Sequence, residues 1–489
     1  MLLLNSNWSF AGAQPPKLGI WFDEPARQWE QTLPLGNGRL GMTPDGGVGV
    51  DHIVLNDITL WSGASQDANN YTAHTYLPQI RKLLFAGKNA EAQQLINQHF
   101  ICTGKGSASV PFGCYQVLGD LKIDFDYGGG YDQPVSNLPY THYSRSLDLK
   151  KALASCTFEL NGVHYTRAYF CSFAGDVDVI RLSADQKGKI NCKVTLSRQQ
   201  KATVRADAQV VKMEGQLDNG TDGHGMRYQA KVRAVPEGGV VRSNGRALEI
   251  EGANSVVLFV SAGTDYESAD FKHITDSLLR AAVKTPYERQ KKAHIEAFAK
   301  LFGRATLQIG GASSDRYLLP TDERLAAFQK DPDGDKNMAA LFFQFGRYLS
   351  VSSTRVGLLP PNLQGLWANQ IQTPWNGDYH LDVNVEMNHW PLGVANLSEL
   401  ELPLADLVKR MVPHGEKTAK AYYNAGGWVA HVITNPWLFT EPGENASWGV
   451  TKSGSGWLCN NLWQHFEYTK DSAYLKGIYP VLKGAAIFL

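Results

Sequence analysis

Residues 156–169 read CTFELNGVHYTRAY. Apolar and polar side chains alternate on both sides of Asn161-Gly162, a pair that supplies the two positive φ angles of a type I′ turn, so the stretch predicts a β-hairpin. The same period of two recurs in 177–182, 190–196, 247–251 and 256–262, with Gly and Asn clusters between the runs. Many strands with turn signals at short spacing, from about residue 18 to 266, predict a large antiparallel β-sandwich. One interruption, 77–101, has apolar residues at Ile80, Leu83, Leu84, Ala90 and Leu95 and reads as an inserted pair of helices.

Beyond residue 270 the period changes. Ile274, Leu278, Leu279 and Ala282, then Ala293, Ile295, Phe298, Leu301 and Phe302, mark helical faces and predict a helical linker, with one short strand-like piece at 304–310. From Thr321, placed to cap a helix through Phe328, the chain reads as helices in series: 337–349, 404–411, 417–423, 457–468 and 473–489. Helices of ~11–12 residues would fill 321–489 with roughly six to eight. Helix pairs joined by long loops rich in Trp, Gly and Pro fit a toroid of helix hairpins whose rim loops carry the site. The last helix ends on its apolar face at 484–489 with neither a glycine cap nor a polar terminus, so the chain is expected to stop inside the toroid. The expected divisions are 1–13, a residual signal segment; 14–268, the sandwich; 269–320, the linker; and 321–489, an incomplete helical barrel.

Composition excludes some partners. In 489 residues, 47 basic and 47 acidic side chains are evenly mixed, which leaves no basic field for nucleic acid or an anionic membrane. No apolar run is long enough to span a bilayer. Six cysteines form neither a CxxC pair nor a regular framework. Cys156 and Cys171 flank the hairpin and could meet across it, although buried free thiols are the expected state. Cys and His at metal-ligand spacing are absent. Met1–Leu4 followed by Ser9-Phe-Ala-Gly-Ala13 reads as the tail of a secretory signal clipped at its start, so the protein is expected to be secreted or periplasmic.

The chemistry concentrates in 359–400, LPPNLQGLWANQIQTPWNGDYHLDVNVEMNHWPLGVANLSEL. Trp367, Trp375 and Trp390, His380 and His389, Asp378 and Asp382, and the amides of Asn362, Gln364, Asn384 and Asn388 crowd a segment with little regular periodicity. Flat aromatic faces stack on sugar rings, while imidazoles, amides and carboxylates bind ring hydroxyls and move protons, so the stretch reads as a carbohydrate-active site. If extended, His380-x-Asp382-x-Asn384 projects three polar side chains to one face. A polar network tying a loop to the barrel is the structural alternative. Two loops of the sandwich, 33–40 and 112–120, read differently. The first is expected to make tight turns against the next domain, whereas the second could reach a ligand through Tyr115 or Gln116.

These motifs, with WFDEPA (21–26), LPLGNGRLG (33–41), LNDITLWSG (55–63), YQVLGD (115–120), LPPNLQGLW (359–367), YHLDVNVEMNHWP (379–391) and WLCNNLW (457–463), make the chain resemble glycoside hydrolase family 95, the 1,2-α-L-fucosidases and their relatives, along nearly its whole length. The resemblance implies an N-terminal β-sandwich, a helical linker, an (α/α)6 barrel and a small C-terminal β-domain. It also implies cofactor-free, inverting removal of terminal α-L-fucose from fucosylated oligosaccharides of plant or host glycans. In such a mechanism one carboxylic acid protonates the leaving oxygen while a base activates water on the opposite face. By resemblance the water-assisting pair falls on Asp382 and Asn384, and the sugar-binding imidazole on His380; Trp375 and Trp457 are expected stacking faces, with Tyr115 and Gln116 as binding residues. Asp382 departs from the asparagine of the studied fucosidases, which keeps L-galactose open as the sugar. The family's acid and its base-supporting aspartate are expected beyond residue 489. Glu386, Glu441 and Glu444 are the in-chain carboxylates that could be mistaken for them. The chain is therefore expected to be an inactive fragment of a fucosidase, with a non-catalytic carbohydrate-binding relative as the alternative.

Overall fold

The Asn161-Gly162 turn forms as the residues dictate: both have positive φ (53° and 69°), and the flanking strands Leu153–Leu160 and Val163–Cys171 pair in antiparallel register, Phe158 opposite Tyr165. The structure is a computed structural model that describes residues 15–108, 110–131, 138–266, 268–310 and 315–489. The signal-like segment 1–13 lies outside the described residues. Burial along both hairpin strands alternates, one face toward the core and the other toward solvent.

Among the described residues two large antiparallel sheets form the sandwich. The nine-stranded sheet runs in the order Gly19–Phe22, Thr141–Asp148, Leu153–Leu160, Val163–Cys171, Asp178–Ala184, Ser255–Thr264, Arg227–Glu237, Val210–Gln216 and Thr203–Asp207. The seven-stranded sheet runs Val240–Ser243, Leu248–Ala253, Ile190–Ser197, Gly119–Phe125, Val50–Asp57, Leu40–Pro44 and Leu35–Gly36. Phe158, Tyr165, Ile180 and Val232 of the first meet Ile53, Leu121, Ile123 and Val194 of the second in one buried core. Cys156 lies opposite Arg167 and Cys171 opposite Asp178, so the two thiols do not meet, and both are free and buried.

The inserted pair is α1 (Leu77–Phe85) and α2 (Asn89–His99). The linker is α3 (Phe271–Lys284) and α4 (Tyr287–Phe302), which cover the nine-stranded sheet through Phe170, Val179, Phe259 and Leu279. Residues 304–310 form no strand.

Helices then take over as part of a toroid: α5 (Thr321–Lys330), α6 (Asn337–Ser353), the short α7 (Asn384–His389) and α8 (Pro391–Val394), α9 (Leu402–Tyr423), the short α10 (Ala446–Gly449), α11 (Gly454–Thr469) and α12 (Ser472–Phe488). Two expectations change here. Thr321 is the first residue of α5 rather than its cap, and its hydroxyl accepts from the Trp21 N–H at 2.9 Å, tying helix to sandwich. The two helices expected across 404–423 are one, α9. Pro413 inside it, and Lys409 whose carbonyl loses a partner to the missing N–H, both stand at exposed positions.

Sandwich and toroid are tightly joined. The 33–40 loop is the tight turn expected: Gly38 has φ 82°, its N–H donates to Ser352 O at 2.8 Å, and a Cβ there would lie 2.5 Å from the Thr354 backbone. Trp367 Nε1 donates to Leu35 O, Tyr348 Oη to Pro34 O, and Asp176 takes both Arg39 and Arg355. No helix among the described residues is long and apolar enough to cross a membrane.

Candidate active site

The loop between α6 and α7 crosses the top of the sandwich. It is pinned there by Asn56 Nδ2 donating to Ala368 O (2.9 Å) and by Tyr115, whose hydroxyl donates to Leu366 O at 2.6 Å. Tyr115 is fully buried against Trp61, which in turn stacks on Tyr379. The ligand contact expected of Tyr115 is therefore corrected: this aromatic is a domain-to-domain anchor with no surface left to offer. Its neighbour Gln116 is different. The Gln116 carbonyl accepts from Arg198 at 2.5 Å, and the side chain borders a cleft.

Further along, Trp375 and Asn376 both take left-handed backbone (φ 49° and 59°), an uncommon pair for residues with side chains. The turn is held by Asn376 Nδ2 donating to Ser107 O, by Gln372 Nε2 donating to Asn376 Oδ1, and by the Tyr115 N–H donating to Asn376 O. It leaves Trp375 74% exposed. Tyr379–His380 then pairs with Ile433–Thr434.

The extended alternation expected across 380, 382 and 384 does not occur. The strand stops at His380, because the Leu381 N–H turns to Val432 O (2.6 Å) and Val383 adopts φ 130°. Asn384 opens α7. A β-branched residue at positive φ is strained, and here the Val383 N–H is held by Glu386 Oε2 at 3.2 Å. The strained residue sits between Asp382 and Asn384, the expected water-handling pair. Asp382 is exposed and Asn384 half-buried, and neither side chain is engaged in a hydrogen bond among the described residues.

The residue that sequence reading left without a role is Asp378. Its carboxylate, 2% exposed, accepts from His380 Nδ1 at 2.5 Å. Burial, together with the charges of Asp382 and Glu444, pushes the Asp378 carboxyl up to about 6 against the pull of His380. Burial opposes a charge on His380, but the hydrogen bond and charge of Asp378, with Asp382 adding to them, outweigh it and raise the imidazole. With Nδ1 engaged, Nε2 is the nitrogen left for a ligand. The i, i+2 spacing of Asp378 and His380 was the available signal.

The in-chain glutamates have other tasks. Glu386 is fully buried, and burial pushes its carboxyl up to about 7. Glu441, also raised by burial, accepts from the Ala68 N–H, Asn69 Nδ2 and the Thr440 N–H. Glu444 accepts from the Ser107 N–H and hydroxyl. The last two clamp sandwich loops to the toroid across more than 300 residues, a pairing no local pattern could reveal. His389 is a core histidine: its Nδ1–H donates to Val385 O (2.7 Å), and burial depresses it to about 4. Trp457 is half-buried on the first turn of α11, one turn from Gly454, which packs against Leu381. A cavity of about 780 Å³ between Gly19–Phe22 and α6 is not lined by His380, and its walls are mainly apolar.

The architecture is a two-sheet sandwich leading through linker helices into part of a helical toroid, with an imidazole, carboxylates and an amide close together on the loop between α6 and α7. Residues 20–269 match the model described as "Glycosyl hydrolase family 65, N-terminal domain", and residues 286–489 that of "Glycosyl hydrolase family 95 catalytic domain". Residues 286–489 thus belong with the catalytic domains of glycoside hydrolase family 95. It is 31% identical over 514 residues to "Alpha-L-fucosidase 2" of Arabidopsis thaliana, a match covering 96% of this chain and 58% of that protein. To "Probable alpha-fucosidase A" of Aspergillus niger it is 30% identical over 507 residues, covering 96% and 60%. The chain thus spans about three-fifths of the length of these curated relatives. A solved structure described as "Putative kojibiose phosphorylase from human microbiome" shares the fold, with a TM-score of 0.60 at 11% identity over 97% of this chain and 60% of that one.

Proposed function

We propose that this protein is an exo-acting α-L-fucosidase that removes 1,2-linked terminal fucose with inversion. The observation that carries the reading is the pair Asp382 and Asn384, free of protein hydrogen bonds on either side of a strained residue, next to an imidazole whose Nδ1 is already held. His380 Nε2 binds a sugar hydroxyl. Asp382 and Asn384 orient and polarise the attacking water, and the indoles of Trp375 and Trp457 offer faces to sugar rings. The two relatives named for fucosidase activity support the choice of sugar. Asp382 gives the second reading, L-galactose, because a carboxylate in this place can accept from the additional 6-hydroxyl.

None of the described glutamates at this site is proposed as proton donor, since Glu386 is enclosed and Glu441 and Glu444 are held by sandwich loops. Residues 1–489 are expected to bind 2′-fucosyllactose but release little or no fucose; robust release would assign the acid to a carboxylate within them. In a protein carrying the full length of its relatives, Asn384→Ala is expected to lower kcat at least about tenfold with KM little changed. An unchanged kcat would remove Asn384 from the water-activating role.

A further inference from the structure

The chain turns at Val383, whose φ of 130° lies in the region that favours glycine, and a side chain from three residues further on holds it there. Glu386 reaches back from α7, and its Oε2 accepts from the Val383 N–H at 3.2 Å. The Val383 carbonyl is held as well, by the Met387 N–H at 2.8 Å. Asp382 and Asn384 stand on either side, so the φ and ψ of this one residue set the direction of one side chain against the other. We propose that Glu386 is a positioning residue for the hydrolysis: it touches neither sugar nor water, but keeps Val383 in the conformation that aims Asp382 and Asn384 at one water molecule. The inference rests on the water-handling reading of that pair, but it stands on a different residue.

Three observations carry it. In a capping box the residue before a helix offers a side-chain oxygen, and the residue three positions on returns a bond to its N–H. Valine has no such oxygen, so Glu386 supplies the side-chain half of the cap alone. Secondly, Glu386 is fully buried, and its Oε1 has no hydrogen-bond partner among the described residues. An enclosed carboxyl with one oxygen unmet costs stability that an apolar side chain of similar size would not. Packing therefore does not account for a carboxyl at this position, whereas the bond to Val383 does. Lastly, the helix from which Glu386 reaches is itself anchored. Asn461 of α11, 2% exposed, donates from Nδ2 to the Glu386 carbonyl at 3.0 Å, and His389 is buried at the far end of α7. The strain at Val383 is thus opposed by a side chain whose own backbone is fastened to a long helix of the toroid.

Two replacements test the role. Glu386→Gln keeps an oxygen for the Val383 N–H, whereas Glu386→Met fills the same buried space with no comparable acceptor, and both should keep the circular dichroism of the wild type. Amide exchange at Val383, resolved by mass spectrometry on residues 1–489, is expected to be at least about tenfold faster in Glu386→Met and within about threefold of wild type in Glu386→Gln. In a protein carrying the full length of its relatives, Glu386→Met is expected to lower kcat on 2′-fucosyllactose at least about tenfold with KM within about twofold, and Glu386→Gln to restore kcat to within about threefold of wild type. Exchange at Val383 that Glu386→Met leaves unchanged overturns the proposal, as does a kcat that falls equally in both variants or in neither. Asn384→Ala, measured alongside, separates the failures. If it lowers kcat and Glu386→Met does not, the water pair stands and the positioning role falls; if neither lowers it, the water-handling reading falls as well. A protein that hydrolyses an α-L-galactoside instead of 2′-fucosyllactose removes only the choice of fucose, and the same comparison on that substrate then tests Glu386.

Discussion

Two buried carboxylates, one in each half of the molecule, have opposite surroundings. Asp51, inside the sandwich, accepts from Tyr169 Oη at 2.5 Å and faces Arg167 Nη1 at 3.3 Å. Arg167 in turn donates to Gly47 O, Val48 O and Tyr127 Oη and lies over the Phe125 ring, and every side chain in direct contact with Asp51 is buried. This network is closed to solvent, with Asp51 Oδ1 left without a hydrogen-bond partner among the described residues. Asp378 has a single side-chain partner, and that partner, His380, keeps 21% of its side chain exposed with Nε2 free to meet a ligand. The closed network can only hold the sheets together, while the open one passes its effect outward. Burial alone therefore does not mark a functional acid. What marks it is a partner that still has a hydrogen-bonding group to give.

The largest effect expected from this contrast is on stability in the sandwich. Arg167→Met should cost about 3–5 kcal/mol in urea unfolding, because it strands Asp51 without its charge partner and leaves two loop carbonyls unmet. A cost as large for Asp378→Asn would break the comparison by making both networks structural.

A second expectation concerns Glu386, which belongs to the open region yet is fully enclosed. Its carboxyl is raised from 4.5 to about 7, so the folded state binds the proton more tightly than the unfolded chain. The associated stability is complete below pH 4.5 and is lost as pH rises through about 7. Glu386→Gln keeps an acceptor for the Val383 N–H but cannot ionise. Relative to wild type it should gain about 3 kcal/mol between pH 4 and pH 8, measured by denaturant titration at both. A pH-independent difference would mean that Glu386 is not held protonated by its surroundings.

The two regions also differ in how much of them could be read from sequence. The sandwich was legible because its information is local: alternation gives the faces, and Asn161-Gly162 sets the hairpin. The period change after 270 likewise exposed the linker and most of the toroid. Failures came where distant contacts decide. Pro413 reads as a break, but its exposed position makes it tolerable within α9. Tyr115 looks presented between glycines, yet Trp61 and Leu366 enclose it. The HisxAspxAsn spacing suggests a strand, whereas the pull of Val432 on Leu381 and of Glu386 on Val383 makes a turn. Asp378 carried a readable signal in its i, i+2 relation to His380, but its burial, which gives the pair its electrostatic character, is set by packing that no local pattern contains.

The smallest of the three effects tests whether the open network acts through His380. Asp378→Asn keeps the shape of the side chain and removes its charge, so burial, opposed only by the charge of Asp382, then acts on the imidazole and should move its titration to lower pH. In wild type His380 is raised, so its Nε2–H remains a charged donor to a higher pH and is lost as pH rises through its midpoint. If that donor holds the sugar, L-fucose affinity in Asp378→Asn should match wild type near pH 5 and fall about tenfold below it near pH 7.5, a difference of about 1.4 kcal/mol. The imidazole signal followed by NMR should shift in parallel, independent of any turnover. An NMR midpoint that moves without a change in affinity would leave Asp378 controlling His380 but remove His380 as the donor; a midpoint that stays in place would remove Asp378 from control altogether and make the 2.5 Å contact a packing feature like the one at Asp51.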